Sequence, residues 1–307
     1  MFTDYRIKVP GKVIITGEHS VVMGAPALAA ACTLYVENRI RENSSGEILI
    51  TSRENENTTP LYRTAERFTE KYGTKKGADM EISSSVPTGS GMGSSAAAIT
   101  SVLTGLCVIN GIKLPAQEMI SMARECENII HGTSSGLDPA TVITGGLVKM
   151  INREFIPCPV FENLDFMIIN TGRPESTTGE TVAHTKELFA ENPHLLDEFT
   201  RISVSVEKAL CDGNRKLLLE SITENQMLLE KIGVVPEKTA AFARKAENLG
   251  TAFKISGAGS IRGDNSGIGL VFGADGDRAL QIENLCREYG YSLSPAGIHQ
   301  GGIECLL

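Results

Sequence analysis

Residues 83–98, Ser-Ser-Ser-Val-Pro-Thr-Gly-Ser-Gly-Met-Gly-Ser-Ser-Ala-Ala-Ala, limit what this chain can fold into more than any other stretch. Gly89, Gly91 and Gly93 fall on alternate residues and lead into an alanine-rich, helix-forming run. Glycine takes positive φ without strain and lets a ligand approach the backbone with no Cβ in the way. The helix start beyond it offers unpaired N–H groups and the positive end of a dipole, which suits phosphate. Ser94 and Ser95 stand at the turn into that helix, where a hydroxyl can cap it or reach a metal ion. A flexible turn before an ordinary helix would use similar residues. Three alternating glycines favour a loop that holds the polyphosphate of a nucleotide. It is neither of the two commonest nucleotide loops: no Lys follows as GxxxxGK[ST] requires, and the spacing is GxGxG rather than GxGxxG. Metal ligands and catalytic groups must therefore come from elsewhere in the chain.

The totals narrow the class. At 307 residues the chain has room for two domains of about 150 residues. A net charge of −8 speaks against nucleic acid as a partner. No apolar run reaches the roughly 18 residues a membrane helix needs, and the N-terminus lacks the pattern of a signal peptide. Seven cysteines are scattered without CxxC pairs, and five histidines show no HExxH spacing. The expectation is an acidic, soluble, cytoplasmic protein with reduced thiols.

Read in order, Tyr5–Val9 alternates as a strand ending at Pro10, and Lys12–Thr16 is a short buried strand. Gly17-Glu18-His19-Ser20 then reads as a loop carrying function, although a surface connection would look the same. Residues 33–40 and 47–51 read as a hairpin, and 78–84 as the strand feeding the glycine loop. Helices are expected at 61–72, 93–109 and 115–130, the last with Pro near its start and Gly132 past its end. Glu127 lies on that last helix, where a solvated carboxylate is the ordinary reading. Asp138-Pro139 reads as an N-cap and N1 pair, a role compatible with catalysis. Residues 145–151 read as a closing strand. Beyond about residue 160 come a strand at 164–170, a polar loop at 171–179 and four helices over 179–190, 195–212, 214–231 and 236–248. Strands at 252–255 and 268–272, a helix at 277–289 and terminal strands near Tyr291 and Ile303 complete a βαβ-like unit.

Three separated stretches occur together: Pro10-Gly-Lys-Val-Ile-Ile-Thr-Gly-Glu-His-Ser-Val-Val-Met-Gly24, Pro87-Thr-Gly-Ser-Gly-Met-Gly-Ser-Ser-Ala-Ala97 and Lys254-Ile-Ser-Gly-Ala-Gly259. In order and spacing they resemble the three motifs of the GHMP kinases, named for galactokinase, homoserine kinase, mevalonate kinase and phosphomevalonate kinase. The first stretch, and Glu127-Asn-Ile-Ile-His-Gly with Ser135-Gly-Leu-Asp138, are most similar to that family's mevalonate-phosphorylating branch. One departure stands after Gly259, where Ser260-Ile-Arg-Gly-Asp-Asn-Ser-Gly267 replaces the usual further glycines and strand.

The resemblance implies an α+β fold of two domains with the active site in the cleft between them. Residues 1–160 would form an ATP-binding domain like domain 2 of ribosomal protein S5, and 161–307 a ferredoxin-like domain. It implies transfer of phosphate from ATP to mevalonate, with Mg²⁺ as cofactor, no nucleic-acid or membrane partner, and a homodimer as the assembly to test. The nucleotide would meet Ser84, Pro87, Thr88, Gly89, Ser90, Gly91, Met92, Gly93, Ser94, Ser95, Ala96 and Ala97. Ser95 and Glu127 would hold the metal. Asp138 would accept the proton of the acceptor hydroxyl, with Lys12 beside it to stabilise the alkoxide. Lys12, Glu18, His19, Asp138, Gly257 and Ala258 would border the acceptor, with Ser176 and Thr177 as further cleft or helix-capping residues. Within the family, phosphorylation of phosphomevalonate or of a sugar is the close competitor, differing in substrate pocket more than in phosphate loop, whereas a related decarboxylase is disfavoured by the Gly17–Ser20 segment and the Glu127–Asp138 pair. A non-catalytic sensor would have no use for Lys12, Ser95, Glu127 and Asp138 together.

Overall fold

The computed structural model describes residues 4–54, 57–74, 76–87, 89–131, 134–160 and 164–306. Among these it forms eleven strands and nine α-helices in two sheets. Strand β1 (Asp4–Thr16) is continuous through Pro10: a register shift between Pro10 and Gly11 takes up the proline, so the two short strands expected there are one bulged strand. It pairs antiparallel with β2 (Ala27–Asn43), whose first six residues are wholly buried.

The hairpin expected after β2 does not form. β3 (Ile48–Ser52) instead pairs in parallel with β4 (Gly77–Ser84), and β4 lies between it and β2. The link through residues 43–47 passes over the start of β4, where Gly77 has no room for a side chain: a Cβ there would fall 2.2 Å from Asn43 Oδ1. Asn43 Nδ2 fixes that crossing by donating to Glu47 O at 3.1 Å and Asp79 Oδ1 at 2.7 Å. Helix α1 (Thr59–Tyr72) makes the connection back to β4.

Helix α2 (Ser94–Asn110) follows the glycine loop and is buried nearly all round, as its uniformly apolar and small side chains require. It packs on β1 and β2 and against α1, α3 (Ala116–His131) and α4 (Leu137–Thr144). The closing strand β5 (Leu147–Ile151) pairs with β2 and turns tightly at Asn152 and Arg153, both at positive φ, into β6 (Glu154–Cys158). Strand β6 has no counterpart in the sequence reading.

The second sheet has the order β10 (Ser292–Gly297), β7 (Asp165–Asn170), β9 (Ile268–Phe272), β8 (Ala252–Ser256), with every neighbouring pair antiparallel. Four helices, α5 (Thr178–Glu191), α6 (His194–Asp212), α7 (Arg215–Lys231) and α8 (Glu237–Asn248), separate β7 from β8. Helix α9 (Asp277–Tyr289) separates β9 from β10. This is the βαββαβ plan of a ferredoxin-like unit. The last strand, β11 (Glu304–Leu306), leaves it and returns to the first sheet beside β1. One continuous apolar core joins the two sheets.

Candidate active site

The glycine loop stands where β1, α2 and α4 converge. Gly89, Gly91 and Gly93 all have positive φ (68°, 80° and 70°), so their backbone N–H groups are turned as in an anion-binding nest. Gly93 must be glycine on a second count: a Cβ would lie 2.8 Å from Lys12 Cγ. Ser90 Oγ donates to Pro87 O at 2.6 Å and closes the turn, while buried Met92 gives its carbonyl to Lys12 N at 2.9 Å. The loop is thereby pinned to β1. Gly89, Gly91 and Ser95 are exposed, whereas Ala96 and Ala97 face the core. Ala97 N donates to Gly93 O within the helix, so a phosphate would meet the amides before it. Ser84 directs its hydroxyl to Val86 O at 3.0 Å and serves its own turn. Thr88 lies outside the described residues.

Lys12 is 3% exposed on β1. Its Nζ donates to Gly91 O at 2.8 Å and pairs with Asp138 Oδ1 at 3.1 Å. Asp138 is not the N-cap; that position belongs to Gly136, at φ 85°. Standing one step inside the first turn, Asp138 leaves its carboxylate free to meet Lys12, with a third of its side chain open to solvent.

Glu127, on α3, is 6% exposed and far from the solvated residue its helix pattern suggests. Its Oε2 accepts a 2.5 Å bond from Ser134 Oγ. Burial, and next the negative charge of Asp138, push its carboxyl up to about 7, against the opposing pulls of Ser134 and Lys12. Ser134, which sequence reasoning missed, ties the site together: Asn128 Oδ1 accepts from its N at 2.7 Å and Arg124 Nε donates to its carbonyl at 3.2 Å.

Glu18 and His19 turn inward. Both are buried, and Glu18 forms an ion pair with Lys254 of β8 at the junction of the two sheets. Burial pulls the Lys254 ammonium below its ordinary range, and the Glu18 charge opposes that pull. His19 sits at φ 61° with Nε2 donating to Ala258 O at 3.0 Å and Nδ1 3.3 Å from Thr185 Oγ1. Burial takes its imidazole down to about 4, so it is neutral near pH 7. Gly257, at φ 109°, has open space where a side chain would stand, and Gly259 abuts Val234 O.

The unusual segment after Gly259 packs on the 171–177 loop: Ser260 Oγ donates to Ser176 Oγ at 3.1 Å, and Ser266 N to Thr171 Oγ1 at 2.9 Å. Ser176 is buried in that contact, and Thr177 forms a reciprocal capping box with Glu180 on α5. A separate cavity of about 920 Å³, between the α6–α7 turn and strands β7 and β10, contains none of these residues.

Residues 60–146 match the family model of the GHMP kinases N terminal domain. The chain is 32% identical over 271 residues to a mevalonate kinase of Archaeoglobus fulgidus, covering 86% of this chain and 90% of that one. It belongs to the mevalonate kinase family. A second member, from Pyrococcus horikoshii, is 30% identical over 284 residues, 81% and 84% of the two chains. In fold, this mevalonate kinase family member is similar to the L. major mevalonate kinase solved with R-mevalonate, with a TM-score of 0.85, 22% identity and 96% of each chain covered. The Methanococcus jannaschii mevalonate kinase gives a TM-score of 0.85 at 19% identity, covering 97% of this chain and 98% of that one.

Proposed function

We infer that this chain transfers the γ-phosphoryl group of ATP to the primary hydroxyl of (R)-mevalonate, giving 5-phosphomevalonate and ADP. The observation that carries the chemistry is the Lys12–Asp138 pair held against the carbonyl of Gly91 in the glycine loop. The mevalonate kinases it resembles over four-fifths or more of its length support the acceptor.

The amides of the glycine loop and the start of α2 bind and align the phosphates. Asp138 takes the proton from the acceptor hydroxyl as that oxygen bonds to the γ-phosphorus and the bond to the bridging oxygen of ADP breaks. Lys12 orients the hydroxyl and offsets the charge gathering on its oxygen. Burial in the wall of the cleft keeps Lys12 in one geometry and water away from it.

The donors around Glu127 fit Mg²⁺: a carboxylate with a proton affinity raised by burial and then by the charge of Asp138 is, with that second carboxylate, a set of hard oxygens short of positive charge. Glu127 and Ser95 would hold the ion, which when bound neutralises phosphate charge. We also take the chain to be two domains meeting near residue 160, with β11 crossing back. Seven free cysteines fit a cytoplasmic location.

The test is ADP release with Mg-ATP against mevalonate, phosphomevalonate, diphosphomevalonate, galactose and homoserine, with products weighed by mass spectrometry. One phosphate added to mevalonate without loss of carbon dioxide is the expected result. Turnover confined to another acceptor would overturn the assignment of substrate.

A further inference from the structure

Strand β1 and the turn that follows it are held by two neighbours over residues 12–18. The first is the glycine loop, through Lys12 N to Met92 O and Lys12 Nζ to Gly91 O. The second is β8. Ser256 Oγ accepts from Ile14 N at 2.9 Å, and Lys254 Nζ donates to Ile14 O at 3.4 Å, to Ile255 O, and to Glu18. The side chains of Lys254 and Glu18 are 0% and 2% exposed. Glu18 Oε2 has no hydrogen-bond partner among the described residues.

An ion pair so deeply buried is a poor source of stability, since the desolvation of two charges offsets their attraction and an apolar pair of the same size often does better. Beside it His19 holds a strained positive-φ backbone (φ 61°, ψ −47°) at the centre of a γ-turn closed by Ser20 N donating to Glu18 O at 2.6 Å. Two unfavourable features meet at one turn, and that turn faces Ala258 of the Gly257–Gly259 loop. The glycine loop itself comes close to Ser256, whose carbonyl is 3.9 Å from where a Cβ of Gly91 would stand. What Lys254 joins is therefore the phosphate-binding side of the cleft and the third glycine turn.

We propose that Lys254 is a positioning residue: paired with Glu18, it fixes the separation between the glycine loop and the Gly257–Gly259 turn, and so the width of the cleft that holds nucleotide and acceptor. The inference rests on the kinase reading above, but its first readout, binding of ADP, needs no acceptor. The variants are Lys254→Met, Glu18→Gln, the two combined, and Ser256→Ala.

Each single change at the pair strands a buried polar partner and lowers Tm. The combined variant leaves no unpaired charge and regains most of that Tm. Yet its Kd for ADP in the presence of Mg²⁺, by calorimetry, rises roughly tenfold, as do both KM values, while kcat falls far less. Ser256→Ala keeps the ion pair and loses one tether, so it raises the same constants by a smaller factor at nearly wild-type Tm. Wild-type Kd and KM in the folded combined variant, or in Ser256→Ala if the combined variant does not fold, would overturn the proposal. A wild-type protein that binds ADP but leaves mevalonate untouched counts against the acceptor assignment, and the Kd comparison still decides the role of Lys254.

Discussion

Replacing Glu127 by Gln removes a charge the fold holds at a cost, and the structure sets the size of the effect. Burial and Asp138 take this carboxyl from an ordinary 4.5 to about 7. A carboxyl that binds its proton more tightly in the fold than in the unfolded chain makes the fold lose stability as pH rises. The loss begins near pH 4.5, where the unfolded chain ionises, and is complete just above pH 7, where the folded one does. At about 1.36 kcal/mol per pH unit the whole loss is about 3 kcal/mol, of which less than about 1 kcal/mol has accrued by pH 5. Glutamine keeps the acceptor oxygen for Ser134 and never ionises. Glu127→Gln should therefore melt about 5 °C above wild type at pH 8 and close to it at pH 5, with calorimetry in EDTA as the assay. Kinase activity should fall by roughly 100-fold or more, because the carboxylate proposed to hold Mg²⁺ is gone. A variant no more stable than wild type at pH 8, or with the same gain at pH 5, would refute the account of Glu127 as a strained, buried charge.

Asp138→Asn should lower kcat by about 10²–10⁴-fold with little change in either KM, measured by coupled ADP release; full kcat would remove Asp138 from the chemistry. Gly93→Ala must place a Cβ 2.8 Å from Lys12 Cγ at φ 70°, so we expect a loss of about 1–2 kcal/mol in urea unfolding together with at least roughly tenfold lower kcat. Only the stability loss would mean that Lys12 tolerates displacement. His19 has its imidazole at about 4 instead of 6.5, so its contribution to stability is present above pH 6.5 and lost as pH falls toward 4, about 3 kcal/mol in all. Thermal melts of His19→Gln between pH 4 and 7 should lack that acid-side decline; a decline equal to wild type would place its origin elsewhere.

What the sequence determined by itself is local. Alternating glycines ahead of a run of alanines favour a loop open to positive φ that leads into a helix, and the structure gives Gly89, Gly91 and Gly93 that conformation. The four helices between β7 and β8 follow from 3.6-residue spacing, and lie within a few residues of where that spacing puts them. The family motifs were legible because each is contiguous.

What only the tertiary structure decided is which distant groups meet. Alternation marks β3 as a strand but cannot say that its open edge pairs with β4 and not β2; Gly77, bare enough to let the chain cross above it, settles that. The motif residue Glu18 carries no sign of Lys254, and nothing in Asp138-Pro139 tells an N-cap from a carboxylate set one position inside the turn to face Lys12. Burial makes the difference. The helical pattern of α3 gives Glu127 an ordinary surface position, and only the folded chain buries the carboxylate, sets it near Asp138 and so raises its proton affinity. Backbone conformation is written in neighbouring residues, whereas desolvation and charge pairing depend on every element that packs against the group.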